Sequence, residues 1–309
     1  MPEASGTLRP VDAEEARLRL LLRGKAATRE LAEGSMTRLA GGLSNQAWRV
    51  EQEGRAWYAR LGYAGAERLG VNRRSECALL AAVARAGFAP DVLACDPPTG
   101  LLVTCFIDGW TWQATDAARA RNLARIGEML DRLHAMPLAA GIAAVSYSDQ
   151  AQHLAATLSD SDAMAVTLRR RADRAFDRLA QRKAQRALCH HDLHHLNVVD
   201  DGARLWLVDW EYGGIGDPLF DVAGFLALHE LGPAETDLLL GAYGHRAVVD
   251  RDLLNEARWA FDYVQWLWYR SCLGLRPDPG GVLAGREAKL ASRLLHCNNR
   301  PDDHGKGGG

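Results

Sequence analysis

The stretch that decides the fold is dense in ionisable side chains and reads His190-His191-Asp192-Leu193-His194-His195-Leu196-Asn197. Two short apolar runs follow at 196–199 and 205–208, and the Asp-Asp-Gly sequence between them predicts a β-hairpin. Asp209 comes directly after this hairpin. An aspartate followed by a nearby asparagine, with a second aspartate after an adjacent strand, can supply a carboxylate base and oxygen ligands for a hard cation. The pattern therefore favours a Mg²⁺ site that substrate phosphates complete.

The four histidines of this stretch offer a second interpretation. Zn²⁺ prefers imidazole nitrogen, so these histidines beside an aspartate also fit a zinc hydrolase. Their spacing does not match the H-E-x-x-H zinc motif, and no pair of cysteines completes a tetrahedral set. A polar loop that holds no metal is the remaining alternative for the same residues.

The residues before this stretch predict a small antiparallel sheet with one inserted helix. Leucines between charged residues predict a first helix over 11–33. Short runs with aromatic and β-branched residues predict strands at 37–40, 47–51, 56–61, 92–95 and 101–106. The inserted helix is expected at 72–86, because apolar residues recur at helical spacing until Gly87 and Pro90.

From residue 116 onward the pattern is mainly helical. Helices are predicted at 116–136, 160–185, 217–230, 234–245, 250–273 and 282–296. The fold class is therefore α+β, with a small sheet-rich lobe over 1–107 and a larger, mainly helical lobe over 108–298. Residues 299–309 are polar and glycine-rich, and we expect them to form a disordered tail.

The composition restricts the classes of function. The 309 residues are 48% hydrophobic, and 37 basic side chains against 39 acidic ones give a net charge of −2. A protein that works mainly by wrapping nucleic acid or coating an anionic membrane needs an excess of basic residues, so we expect neither partner. The expected partner is a small molecule, and the oligomeric state is not predicted.

The sequence shows no signal-peptide pattern and no membrane-spanning segment. The start lacks a basic region followed by an apolar one, and no apolar run approaches the roughly 18 residues that cross a bilayer. We therefore expect a cytoplasmic protein. The six cysteines include no C-x-x-C pair, and we expect them to be reduced and mostly buried.

Two motifs together carry a resemblance to a known family. They read His190-x-Asp192-x-x-x-x-Asn197 and Leu207-Val208-Asp209-Trp210-Glu211-Tyr212, and Gly216-Asp217-Pro218-x-x-Asp221 follows them. This set resembles the signature of the aminoglycoside phosphotransferase and choline kinase superfamily, which has a protein-kinase-like fold. The Asp-Trp-Glu-Tyr form is more similar to choline, ethanolamine and bacterial thiamine kinases than to antibiotic kinases.

The resemblance implies roles for residues around the hairpin. Asp192 would be the catalytic base, and His190 would orient the loop that carries it. Asn197 and Asp209 would hold Mg²⁺ on the phosphates of ATP. Three further residues are expected to support the catalytic loop, namely His194, Asp217 and Asp221. The Asp217-Pro218 pair also fits a helix start, a purely structural role for Asp217.

The resemblance also places an ATP site in the first lobe. The segment that resembles the nucleotide loop contributes Gly41, Gly42, Ser44 and Asn45. No lysine lies between Lys25 and Lys183, so Arg60 takes the role that a strand lysine has in protein kinases. Glu76 in the inserted helix would be its partner. A surface Arg–Glu pair with no role in binding is the alternative for these two residues.

The second lobe must supply the acceptor site, and its aromatic residues are the candidates. These are Trp210, Tyr212, Trp259, Tyr263, Trp266, Trp268 and Tyr269. Aromatic faces with a carboxylate suit a quaternary or aromatic cation. Glu211 is the expected counter-charge, with Trp210 and Trp266 as aromatic contacts. Because the aromatic residues from Trp259 to Trp266 recur at helical spacing, packing of a core is the alternative.

We therefore expect an ATP- and Mg²⁺-dependent kinase of a small-molecule hydroxyl. The favoured acceptors are choline, ethanolamine and thiamine, and an aminoglycoside or sugar kinase is the alternative within the superfamily. A nucleotide-binding relative without activity is an alternative of another class. The presence of Asp192, Asn197 and Asp209 argues against it, because such proteins typically lose one of these residues.

Overall fold

A computed structural model describes residues 10–39, 45–63, 65–156, 158, 163–182, 185–244, 249–275 and 277–298. Three of the residues predicted to bind ATP, Gly41, Gly42 and Ser44, lie outside these ranges. So does the predicted disordered tail over 299–309. No described helix combines the length and the apolar character that crossing a membrane requires.

The first part of the chain forms a five-stranded antiparallel sheet in the order β1-β2-β3-β5-β4. The strands are β1 (Ser35–Arg38), β2 (Asn45–Gln52), β3 (Arg55–Gly62), β4 (Val92–Asp96) and β5 (Leu101–Cys105). Glu53 and Gly54 join β2 to β3 and both have positive φ angles of 51° and 72°, as a tight hairpin turn requires. The antiparallel sheet agrees with the sequence prediction, which did not include the order of the strands within it.

Two helices accompany this sheet, namely α1 (Pro10–Arg23) and α2 (Arg73–Arg85). Leu18 and Leu22 of α1 are fully buried against Trp48 and Val50 of β2. The helix predicted over 11–33 is wrong in length, because α1 ends before Gly24 and two 3₁₀ turns follow. Glycine is a poor helix former, so the interruption at Gly24 has a local cause.

A disulfide bond links α2 to β4, and it corrects the expectation that all six cysteines are reduced. Cys77 and Cys95 form this bond, and their Cα atoms are 5.7 Å apart. The two residues are 18 positions apart in the sequence, and packing of α2 against the edge strand β4 brings them within bridging distance. Cys105, Cys189 and Cys272 are free thiols.

The second part is mainly helical. Its helices are α3 (Ala114–Ala117), α4 (Ala120–His134), α5 (Tyr147–Ala155), α6 (Ala163–Ala180), α7 (Leu219–Leu228), α8 (Pro233–Ala242), α9 (Arg251–Leu275) and α10 (Val282–Asn298). The long helix α9 packs against α5, α6, α7 and α10 and forms the centre of the core. The helix predicted over 116–136 is divided into α3 and α4, and α5 was not predicted.

Short strands within this helical part position the polar segments. They are β6 (Trp110–Thr111), β7 (Ala187–Cys189), β8 (Val198–Asp200), β9 (Leu205–Leu207) and β10 (Gly214–Gly216). The predicted hairpin is present as β8 and β9, and β7 pairs with β10. The segment after β7 and the segment after β9 therefore emerge side by side, below the five-stranded sheet.

Candidate active site

The loop after β7 is fixed by hydrogen bonds from its backbone. The amide groups of His190 and His191 donate to the two oxygens of Asp221, at 2.9 and 2.7 Å. The His190 ring donates through Nε2 to the carbonyl of Val208 at 3.0 Å and accepts the amide of Asp192 at 3.3 Å. Burial lowers the pKa of His190 to about 4, so the ring is neutral and orients the loop through both nitrogens.

Asp221 is itself anchored, whereas Asp217 has a different neighbourhood. His134 Nε2 donates to Asp221 at 3.0 Å, and His134 Nδ1 lies 2.6 Å from the Tyr243 hydroxyl. Burial alone would raise the pKa of Asp221, but the hydrogen bond and charge of His134 hold it far below its usual range. Asp217 accepts a backbone amide at the start of α7 and pairs with Arg182. Its contacts are those of a helix cap.

The predicted base and the predicted metal ligands lie together. The Asn197 side-chain amide donates to the Asp192 carbonyl at 2.8 Å and to the Asp192 carboxylate at 3.3 Å. Asp209, in a left-handed backbone conformation with φ of 61°, turns its carboxylate to within 3.3 Å of Arg60. Burial, with the charges of Asp209 and Glu211, raises the pKa of Asp192 well above its ordinary value.

This donor set fits a Mg²⁺ ion. Burial and the neighbouring Glu211 raise the pKa of Asp209 to about 7, although Arg60 lies 3.3 Å away and acts in the opposite direction. The amide nitrogen of Asn197 is used by Asp192, so the amide oxygen remains as a ligand. One amide oxygen and one carboxylate, crowded by further carboxylates, are the hard oxygen donors that Mg²⁺ prefers.

Arg60 and Glu76 form a buried ion pair. Arg60 Nη1 and Nη2 lie 2.7 and 2.9 Å from the Glu76 carboxylate, and both residues are 1% exposed. Burial would raise the pKa of Glu76, but Arg60 and Arg73 together lower it below its ordinary value. The alternative of a surface Arg–Glu pair is wrong, because neither side chain reaches solvent.

Arg73 is a functional candidate that the sequence interpretation missed. Its Nη1 lies 2.8 Å from Glu76 and 3.0 Å from Glu211, and its Nη2 donates to Asn45 at 3.0 Å. Arg73 thereby joins the start of β2 to α2 and to the segment after β9. The signal was its position three residues before Glu76, which places both side chains on one face of the helix.

Glu211 faces the nucleotide side of this network. Its carboxylate accepts from the Asn45 amide at 2.9 Å and lies 3.0 Å from Arg73 and 4.0 Å from Arg60. The carboxylate is therefore already compensated by two guanidinium groups. These contacts differ from those expected of a counter-charge for the acceptor, the role that the sequence predicts.

A cavity of about 920 Å³ connects the two motifs. Its first end is lined by the sheet and by the segment after β5, including Asn45, Tyr58 and residues 104–107. Its floor contains Asp192, Asn197 and Asp209. The cavity therefore extends from the proposed ATP site past the predicted base.

The other end of the cavity carries an aromatic wall, which we define as Tyr212, Trp268 and Tyr269. Trp268 donates its indole N–H to the Tyr212 hydroxyl at 2.8 Å and meets the Tyr269 ring edge-on at 5.2 Å between centroids. Trp210 also lines the cavity, although its ring packs against His190 and its N–H donates to a backbone carbonyl.

Trp266 does not line this cavity. It is 0% exposed, its indole N–H donates to Glu287 at 2.6 Å, and it stacks in a row with Tyr263 and Trp259. For these three residues the alternative of core packing describes the structure. The aromatic residues that do reach the cavity from α9 lie two and three positions further along the helix.

The four histidines of the loop after β7 have separate environments. His194 accepts the Leu196 amide and lies 3.7 Å from Asp192, whereas the backbone amide of His195 donates to His229 at 3.2 Å. Within the described part of the chain, the one group of three metal-ligand side chains within 4.8 Å is His134, Cys189 and Asp221. Burial keeps the pKa of Cys189 well above its ordinary value, and the other two already hold the loop after β7. No described zinc site arises from the histidine-rich stretch.

Comparison with solved structures gives close overall matches. A choline/ethanolamine kinase family protein from Mesorhizobium loti is 25% identical, with a TM-score of 0.77, over 94% of this chain and 95% of that protein. The choline kinase LicA from Streptococcus pneumoniae is 21% identical, with a TM-score of 0.78, over 92% of this chain and 99% of that one. These likenesses establish the protein-kinase-like fold.

Curated sequences and a family profile complete the comparison. Protein LicA of Haemophilus influenzae is 42% identical over 55 residues, which is 18% of this chain. That alignment spans about a fifth (21%) of the curated relative's length. The profile of the phosphotransferase enzyme family matches residues 35–259, from β1 into α9. The chain therefore belongs to the phosphotransferase enzyme family, and its fold is that of the family's small-molecule kinases.

Proposed function

We propose that the protein transfers the γ-phosphoryl group of ATP to the hydroxyl of a small cationic alcohol, such as choline, ethanolamine or thiamine. The observation that carries this proposal is the aromatic wall, which lines the same cavity as Asp192, Asn197 and Asp209. Aromatic faces bind quaternary and aromatic cations. Two structural relatives named as choline or choline/ethanolamine kinases support the same acceptor class.

In this reaction the acceptor oxygen attacks the γ-phosphorus while the bond to the β–γ bridging oxygen breaks, and ADP leaves. Asp192 orients the hydroxyl and accepts its proton, and Asn197 holds Asp192 in place by two hydrogen bonds. Arg60, whose buried guanidinium is held by Glu76 and Asp209, adds positive charge behind Asp209 at the phosphate site. Mg²⁺ held by Asn197 and Asp209 would supply further neutralisation of the phosphates.

The charges at the acceptor end argue against a polycationic antibiotic. Of the carboxylates that line this end, Glu230 is already paired with Lys289 and Arg293. Glu211, which faces the nucleotide side, is also compensated by Arg73. An aminoglycoside with several ammonium groups requires several uncompensated carboxylates, whereas Glu230 and Glu211 both have cationic partners. A cytoplasmic location is part of this proposal, because the reaction consumes ATP.

The test is release of ADP from Mg-ATP with choline, ethanolamine, thiamine, several sugars and an aminoglycoside. We expect turnover with a cationic alcohol, reduced by about 10²- to 10⁴-fold in Asp192→Asn, because general base catalysis contributes that much. The variant must still bind ATP, which calorimetry checks. Binding of ATP without turnover of any acceptor would indicate a nucleotide-binding module and contradict the proposal, as would full activity in the variant.

A further inference from the structure

Helix α10 bounds the acceptor end of the cavity and presents cations to it. Arg286, Lys289 and Arg293 all line the cavity, and their spacing of three and four residues places them on one face of the helix. A site designed only for a cation has no need of this row of positive charges. The three cations differ in whether a carboxylate compensates their charge.

Two of the three cations have carboxylate partners. Lys289 pairs with Glu230, and Arg293 pairs with Asp262 and lies 3.6 Å from Glu230. Arg286 differs, because its Nη1 donates to the Tyr269 hydroxyl at 3.3 Å and no carboxylate of the described residues lies within 4 Å of its guanidinium. Arg286 is solvent-exposed within the cavity, so its remaining N–H groups are available to a ligand.

Arg286 also contacts the aromatic wall and lines the same cavity as Asp192. Its partner Tyr269 belongs to the aromatic wall. Burial and the neighbouring histidines lower the pKa of His194, and the charge of Arg286 adds to this effect. His194 Nε2 in turn lies 3.7 Å from the Asp192 carboxylate. The guanidinium is therefore within electrostatic range of the place where the acceptor hydroxyl meets its base.

We propose that Arg286 binds a carboxylate of the acceptor, and that the acceptor is a zwitterionic amino alcohol with a hydroxyl, an ammonium group and a carboxylate. This inference rests on the proposed function and narrows its acceptor class. The aromatic wall and Asp192 receive the ammonium and the hydroxyl, and Arg286 receives the carboxylate. Guanidinium matches a carboxylate with two parallel N–H donors, which gives a strong and directional contact.

The test compares acceptors that differ by one carboxylate, namely ethanolamine with L-serine and choline with N,N,N-trimethyl-L-serine. We expect kcat/KM to be at least tenfold higher for the carboxylate-bearing member of a pair. Arg286→Gln should lower the ratio of the two kcat/KM values by about 10- to 100-fold, the size of a charge-assisted contact, mainly through KM. Arg119→Gln is the control, because this exposed arginine pairs with Asp116 and is not among the residues that line the cavity, and it should leave the ratio unchanged.

Three outcomes would overturn the inference. Turnover of ethanolamine or choline without any preference for a carboxylate would refute it and leave the proposed function intact. An equal loss for both members of a pair in Arg286→Gln, with a raised KM for ATP, would show that Arg286 binds a nucleotide phosphate instead. If no member of either pair is phosphorylated, the inference fails, and if thiamine is not phosphorylated either, the proposed function fails with it.

Discussion

Replacing Glu76 by glutamine removes the negative charge that two guanidinium groups share. Arg60 approaches the Glu76 carboxylate at 2.7 and 2.9 Å, and Arg73 approaches it at 2.8 Å. The amide of glutamine keeps one acceptor oxygen but turns an NH₂ group toward groups that are themselves only donors. Arg60, 1% exposed, cannot recover this loss from water.

The size of the effect follows from this burial. Removing one partner of a buried ion pair costs about 3–5 kcal/mol, because the other charge stays buried without its partner. Arg60 keeps Asp209 at 3.3 Å and Glu211 at 4.0 Å, so we expect the lower end, about 3 kcal/mol. That loss changes the folding equilibrium by more than about 100-fold.

Glu33→Gln is the matched control for this prediction. Its carboxylate lies 3.0 Å from Arg23, but the two side chains are 67% and 53% exposed. Exposed pairs at this distance contribute about 0–1 kcal/mol, because water replaces the partner and salt screens the charge. The two variants therefore differ in burial, whereas the chemistry of the substitution is the same.

The assay is urea unfolding of both variants, together with calorimetric binding of ATP. We expect Glu76→Gln to lower the free energy of unfolding by about 3 kcal/mol and to weaken ATP binding, because Arg60 loses its fixed position. Since the folded-state pKa of Glu76 is lowered, the stabilisation is complete above the unfolded pKa of about 4.5 and is lost below it. Equal losses of stability in the two variants at pH 7 would refute the reasoning.

Two further predictions concern the aromatic residues and the buried histidine. Trp268→Ala should raise KM for a cationic acceptor about tenfold, the size of a cation–π contact. Trp266→Ala should leave that KM unchanged and lower the free energy of unfolding by about 3–5 kcal/mol. Kinetics and urea unfolding of both variants test this, and a raised KM in Trp266→Ala would contradict the assignment. Because burial lowers the pKa of His190 from 6.5 to about 4, its contribution to stability is complete above pH 6.5 and falls by about 1.4 kcal/mol per pH unit toward pH 4. Unfolding at pH 7.0, 5.5 and 4.5 should therefore show a shallower pH slope in His190→Asn than in the wild type, and identical slopes would contradict this.

The fold could be predicted where its causes are local. The Glu53-Gly54 turn, the hairpin after Asn197 and the terminated helix α2 each have a signal within a few residues. The missed helix α5 also had one, because the Ser146 side chain caps it by accepting the Asp149 amide, a spacing visible in the sequence. The disulfide between α2 and β4 had none, since only the packing of these two elements brings the cysteines together.

The same distinction between local and long-range causes applies to the site. Asp192, Asn197 and Asp209 could be recognised because a loop and the adjacent hairpin place them within 18 residues. The sequence indicated that Glu211 lies near the site, but it did not indicate which way the side chain points. Side chains of a strand alternate between its two faces, and the left-handed backbone at Asp209 interrupts this alternation. Arg73 pairs with a residue 138 positions away, a contact that no spacing rule indicates.

In the proposed site, recognition of the acceptor depends on contacts of this long-range kind. Tyr212 follows the hairpin, Trp268 lies on α9, and Arg286 lies on α10, so three separate elements must pack before the acceptor end exists. Substitutions on these three elements can thus change the acceptor end while the proposed phosphoryl-transfer residues stay the same. A charge on α10 that has no carboxylate partner among the described residues is therefore more informative about the substrate than the catalytic motif, because the motif is compatible with every acceptor that carries a hydroxyl.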